Sequence, residues 1–149
     1  MKLHEILVNN QTDIINEAFY SLERSHLKHY DTSRADENWQ RLAKLFDLTL
    51  NGVKTKSLVD IVNYSERVAK ERYESGFDLH EVHTAYNVLE EALWKTIVRE
   101  IAPTELPESL GLISTVLGTG KEALAIAYVS LASKQKLKSL NLTQLFKGV

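Results

Sequence analysis

The chain has 149 residues, of which 44% are hydrophobic and 26% are charged, and this is the profile of one soluble globular domain. Its 18 Lys and Arg against 20 Asp and Glu give a formal net charge of −2, which argues against a nucleic-acid partner because such binders are usually strongly basic. The absence of cysteine excludes disulfide frameworks and thiolate metal sites, and it favours a cytoplasmic location.

The amino terminus and the apolar stretches predict neither export nor a membrane segment. Residues 1–10 carry Glu5 inside a short apolar run and lack a small-residue cleavage site, so we expect no signal peptide. The most apolar stretch, residues 123–132, is shorter than the roughly 18 uninterrupted apolar residues of a membrane helix. We therefore expect a single domain over residues 1–149 with no membrane contact.

Apolar residues recur at helical spacing from the amino terminus onwards. A short helix is predicted over residues 3–8, and a second helix follows from Thr12. Residues 34–51 repeat apolar side chains at intervals of three and four, and Gly52 is predicted to end that helix.

The next two helices are predicted on either side of Gly76, which occupies the position where a left-handed C-terminal cap is needed. Asp78 then offers an N-cap with Glu81 three residues on, and opens a helix that lasts until Pro103. Phe77 between them is predicted to anchor a tight corner, so Gly76, Phe77 and Asp78 form a predicted structural junction. One stripe of the helix before the junction includes Leu58, Ile61, Val62, Ser65, Val68, Ala69, Arg72 and Tyr73.

A further apolar stripe runs through residues 110–131 and passes Gly118 and Gly120, which could either bend one helix or divide two. The tail, residues 133–149, combines lysines with apolar side chains and has no acid. Together these patterns predict an all-α domain of roughly six helices, either globin-like or a helical bundle.

The histidines leave two functional alternatives open. His80 and His83 flank Glu81 at a spacing of three, which does not fit the zinc-hydrolase motif, so we predict no metal and no cofactor. An exposed histidine followed by an acid is compatible with a histidine phosphotransfer protein that uses His80 or His83. A haem-binding sensor would instead need an axial histidine such as His83 or His29 in an apolar pocket.

Aromatic side chains provide the candidates for a ligand site or an interface. Helical sensor pockets are commonly lined by aromatic groups with a few polar ones. The predicted ligand or interface residues are His83, Tyr86, Trp94, Tyr64 and Tyr73.

Residues 71–82 read Glu-Arg-Tyr-Glu-Ser-Gly-Phe-Asp-Leu-His-Glu-Val, and Ala85-Tyr86-Asn87-Val88-Leu89 and Ala92-Leu93-Trp94 follow. This stretch resembles the RsbRD-type N-terminal domain, whose specific feature is a Gly-Phe junction between two helices. The resemblance implies a non-haem, globin-like, non-enzymatic signalling module that forms a homodimer and sits ahead of an output domain. Because no output domain follows in this sequence, we expect a partner protein to carry the output, with a small-molecule ligand of unknown identity.

Overall fold

The computed structural model describes the backbone of residues 2–147 and the side chains of residues 2–136. This part of the chain is all helical, as predicted, with seven helices rather than six because residues 28–32 form a short helix of their own. The helices are α1 (Leu3–Asn9), α2 (Gln11–Arg24), α3 (Lys28–Thr32), α4 (Ala35–Thr55), α5 (Val59–Glu74), α6 (Leu79–Glu100) and α7 (Leu106–Lys147).

The prediction that Gly52 ends α4 is wrong, since the helix continues to Thr55. The left-handed cap is Lys56, with φ of 57°, and its N–H donates to the Gly52 carbonyl over 2.8 Å. Gly52 lies inside the helix at a point where α7 passes close to it. A Cβ there would stand 2.9 Å from a methyl carbon of Val116. This glycine therefore marks a close helix contact instead of a helix end.

The long helix α7 is continuous through Gly118 and Gly120 and packs against α4, α5 and α6. Gly120 is buried, and a Cβ there would lie 2.9 Å from Ile61 and 3.2 Å from both Ser65 and Tyr86. Gly118 has open space around it. Gly120 thus permits the close approach of α7 to α5 and α6, and neither glycine breaks the helix.

The core lies between α2, α4, α5, α6 and α7, with α1 closing one end. Its largest fully buried side chains are Phe46, Leu7, Ile14, Ile15, Leu22, Leu42, Ile61, Leu89, Leu93, Ile97, Ile113 and Leu117. In the tail, residues 133–147 continue α7 as backbone, and the side chains of residues 137–149 lie outside the described residues.

By length and composition, one helix in the described part of the chain could cross a membrane, over residues 106–136. Its uninterrupted apolar runs are short, but its mean hydropathy over the best 18-residue window is 1.3, and 28% of that window is buried in this fold. Core helices satisfy the same criterion, and Ile113, Leu117 and Leu124 of α7 are completely buried. Two apolar residues of α7, Ile126 and Val129, are nevertheless 63% and 61% exposed.

Candidate functional site

The junction between α5 and α6 is built from the backbone of Gly76 and the side chains on either side of it. Gly76 has a φ of +88°, which side chains rarely adopt, and the Phe77 N–H donates to the Arg72 carbonyl over 2.9 Å. Asp78 then caps α6 in a reciprocal arrangement with Glu81. Because Phe77 is only 8% exposed, this corner is packed against the body of the protein.

Glu81 ties the corner to α3. Its carboxylate accepts the N–H of Asp78 over 3.0 Å and the N–H of His29 over 2.9 Å, and the His29 ring Nδ1 lies 2.7 Å away. Burial raises the pKa of the Glu81 carboxyl, but these hydrogen bonds outweigh burial and hold the pKa below its usual range. Glu81 is therefore a structural anion at this junction.

Phe77 is surrounded by rings and cations. The His29 ring centroid lies 4.9 Å from that of Phe77, and Tyr30 packs edge-on at 5.1 Å. The guanidinium carbons of Arg41 and Arg72 lie 5.7 and 5.8 Å from the centre of the Phe77 ring. Two positive charges from α4 and α5 thus converge on one aromatic side chain.

Next to this cluster lies a small cavity of about 20 Å³, most of whose lining residues are buried. Arg41 and Arg72 form part of its polar wall, and most of its remaining wall is aliphatic. The lining residues are Leu22, Tyr30, Asn38, Arg41, Leu42, Leu45, Tyr64, Val68, Arg72, Val82, Ala85 and Tyr86. No histidine lines the cavity in the described part of the chain, so it offers a haem iron no axial imidazole.

Two of the predicted ligand candidates, Tyr64 and Tyr86, line this cavity. The Tyr86 hydroxyl is paired with that of Ser65 at 2.8 Å, and burial raises the pKa of Tyr86. Burial also raises the pKa of Tyr64, and it raises that of Tyr30 to about 12. All three phenols are therefore neutral hydrogen-bonding groups at neutral pH.

The other three candidates lie elsewhere. Trp94 is 43% exposed on the outer face of α6. Tyr73 packs edge-on against Tyr128 of α7, and its hydroxyl donates to Gln135. His83 is half-buried, and burial followed by the nearby Lys121 ammonium lowers its pKa. The five predicted residues thus do not form one site.

Sequence reasoning missed Arg41 and Arg72 as site residues. Arg72 is 5% exposed and falls on the predicted buried stripe of the helix before Gly76. Arginine is almost never fully buried unless it is paired. A charged residue on a predicted apolar stripe was therefore the signal in the sequence that could have identified Arg72 as a site residue. Arg41 gave no comparable signal, because its relation to Phe77 depends on the packing of α4 against the corner.

Among the described residues, no three His, Cys, Asp or Glu side chains are grouped as metal ligands would be. His80 is exposed in the first turn of α6, so the phosphotransfer alternative stays a prediction for that residue.

A groove of about 530 Å³ runs along the surface between α5 and α7. Its floor is mainly aliphatic, and Glu66, Lys70 and Glu122 stand among the apolar residues. The aliphatic lining consists of Val62, Ala123, Ile126, Ala127 and Leu131. Ile126 and Val129 on α7 are 63% and 61% exposed.

The comparisons with known proteins identify one family. The family model of the RsbT co-antagonist protein RsbRD N-terminal domain matches residues 21–132. No curated protein and no solved structure matches the chain. The match includes the Gly76-Phe77 junction, the cavity and the groove, and the family is one of non-catalytic regulatory domains in signalling proteins. The chain belongs to the RsbT co-antagonist RsbRD N-terminal domain family.

Proposed function

We propose that this chain is a non-enzymatic regulatory module that forms a homodimer through the groove between α5 and α7, and that the dimer regulates a partner protein carrying the output. The observation that carries the proposal is the exposed apolar surface of α7. The family assignment supports the regulatory part, since its description names a co-antagonist of another protein.

The groove has the exposed apolar lining that is typical of a protein–protein interface. Ile126 is 63% exposed at its edge, on a helix whose most apolar window is only 28% buried. Large exposed aliphatic side chains next to a groove are costly in water and are typical of interaction sites. A packed second copy would remove this surface from water.

Charge favours a second copy of the same chain as the occupant. Glu66 and Lys70 are exposed one turn apart on α5, and both line the groove. A two-fold interface brings the same patch together in opposite directions, so a surface that carries both signs can be complementary to itself. Lys70 would repel a positively charged partner, and Glu66 together with Glu122 of the same groove would repel a negatively charged one.

A different surface, on α6, is the proposed binding site for the partner protein. Trp94 and Val98 lie one turn apart on α6 and are 43% and 59% exposed. Tryptophan is enriched among the residues that dominate binding energy in protein interfaces. We infer that this patch, which is separate from the groove lining, meets an apolar surface of the output-bearing partner.

The test is the mass of the full chain in solution, measured by light scattering coupled to size exclusion over a range of concentrations. We expect the wild type to be a dimer and Ile126→Glu to be a monomer, because a buried unpaired carboxylate at the interface is strongly unfavourable. Val59→Glu is the matched control, since Val59 is also 63% exposed on a helix but lies outside the groove lining. A monomeric wild type would overturn the proposal, as would a dimer that survives Ile126→Glu.

A further inference from the structure

The side chain of Arg72 is only 6% exposed, and its hydrogen bonding is incomplete. Its Nη1 donates to the Glu71 carboxylate over 2.6 Å. Its buried Nε has no hydrogen-bond partner in the part of the chain that the structure describes. A buried cationic donor without an acceptor is unfavourable, and Arg72 also lines the cavity described above.

A second cation lines the same cavity. Arg41 donates from Nη1 to the Asn38 side-chain oxygen over 3.1 Å, and both arginines stand against the Phe77 ring. Burial, followed by the charge of Arg72, lowers the pKa of Arg41. The two guanidinium groups therefore reinforce one another as a positive region within a mostly apolar enclosure.

The acids near these arginines do not cancel this field inside the cavity. Glu71, the partner of Arg72, has a side chain that is 68% exposed, and Glu37, 3.9 Å from Arg41, has one that is 50% exposed. Among the described residues, no Asp or Glu side chain lines the cavity. Neither arginine therefore has a carboxylate partner within the lining of the cavity.

We propose that this cavity is a binding site for a small carboxylate anion, with the Arg72 Nε–H as the principal donor and with Arg41 and the Tyr64 hydroxyl completing the contacts. The planar guanidinium edge matches the geometry of a carboxylate, and charge-assisted hydrogen bonds are stronger in a water-poor site. A volume of about 20 Å³ limits the ligand to one or two carbon atoms, so formate and acetate are the appropriate probes.

This site is independent of the groove that carries the proposed function. The α5 residues that line the cavity lie on the side of that helix opposite to the groove, and no residue lines both the cavity and the groove. A protein that does not bind acetate could still be shown to dimerise by its mass in solution. A protein that does not dimerise could still be titrated with acetate.

The experiment is a titration of the ¹⁵N-labelled full chain with sodium acetate and, separately, with sodium formate, followed at the arginine Nε–H resonances by NMR. Sodium chloride at matched ionic strength is the reference. We expect a saturable shift of the Arg72 Nε–H signal with a carboxylate and only a small, non-saturating change with chloride. The absence of saturation, or an equal response to chloride, would overturn the proposal.

Two variants locate the effect. Arg72→Lys keeps the charge but removes the Nε donor, and we expect it to weaken acetate binding about 10- to 100-fold, as measured by calorimetry. Tyr64→Phe removes one neutral hydroxyl from a half-buried side chain and should weaken binding only several-fold, so it tests the site even if Arg72→Lys folds poorly. Arg34→Lys is the control, because Arg34 is exposed and pairs with Asp36. Unchanged affinity in both cavity variants would contradict the assignment.

Discussion

Replacement of Gly120 by alanine should destabilise the protein, whereas the same replacement at Gly118, two residues away on α7, should stabilise it. A Cβ at Gly120 would stand 2.9 Å from Ile61 Cγ1 and 3.2 Å from atoms of Ser65 and Tyr86. At Gly118 nothing lies within 4 Å of the added carbon. The two variants make the same chemical change in the same helix and differ only in what the methyl group meets.

The magnitude follows from two opposing effects. Alanine is favoured over glycine in a helix interior by about 1 kcal/mol, and Gly118→Ala should gain this amount. At Gly120 the neighbours are fixed, because Ser65 and Tyr86 are hydrogen-bonded at 2.8 Å and Ile61 is 1% exposed. Forcing a methyl group into such packing costs about 1–3 kcal/mol, so the free energies of unfolding of the two variants should differ by about 2 kcal/mol.

Urea denaturation of the wild type and both variants at one protein concentration measures this difference. Gly111→Ala is an additional control, since the space around Gly111 is also open. If Gly120→Ala unfolded at a higher urea concentration than the wild type, α7 would not approach α5 and α6 as closely as the structure shows.

Three further predictions concern the junction between α5 and α6. Phe77→Ala should lower the free energy of unfolding by about 3–5 kcal/mol, and unchanged thermal unfolding would contradict a packed corner. Gly76→Val should cost about 1–3 kcal/mol because φ is +88°, while Gly76→Asn should retain most of the stability. The pKa of Glu81 is below its usual value of 4.5, so its stabilising effect is present above that pH and is lost as the pH falls through the folded-state pKa. Wild-type stability should therefore fall more steeply than that of Glu81→Gln as the pH falls below 4.5, and parallel profiles would refute the role given to this carboxylate.

Local signals in the sequence predicted six of the seven described helices and the junction, because helix caps depend on residues only a few positions apart. Asp78 and Glu81 illustrate this, since their reciprocal bonds span three residues. Local signals could not explain Gly52 and Gly120, because at both positions contacts with a helix distant in the sequence leave no room for a side chain. A glycine required for close packing and a glycine required for a turn look the same in a single sequence.

The cavity could be predicted only in part. Tyr64 and Tyr86 are among the aromatic residues predicted for a ligand site, and the structure places both in the wall of the cavity. Trp94 belonged to the same set, but it faces solvent on α6. Aromatic composition indicates which side chains can line a pocket, and only the packing of α4, α5 and α6 decides which of them do so.

The helix α5 joins the two surfaces on which the proposals rest. Its cavity side carries Tyr64, Val68 and Arg72, and its groove side carries Val62, Glu66 and Lys70. Each set repeats every four residues, and a shift of two residues along a helix turns the side chain by about 200°, so the two sets face in nearly opposite directions. A substitution on one face of α5 can therefore remove one proposed site while leaving the lining of the other unchanged.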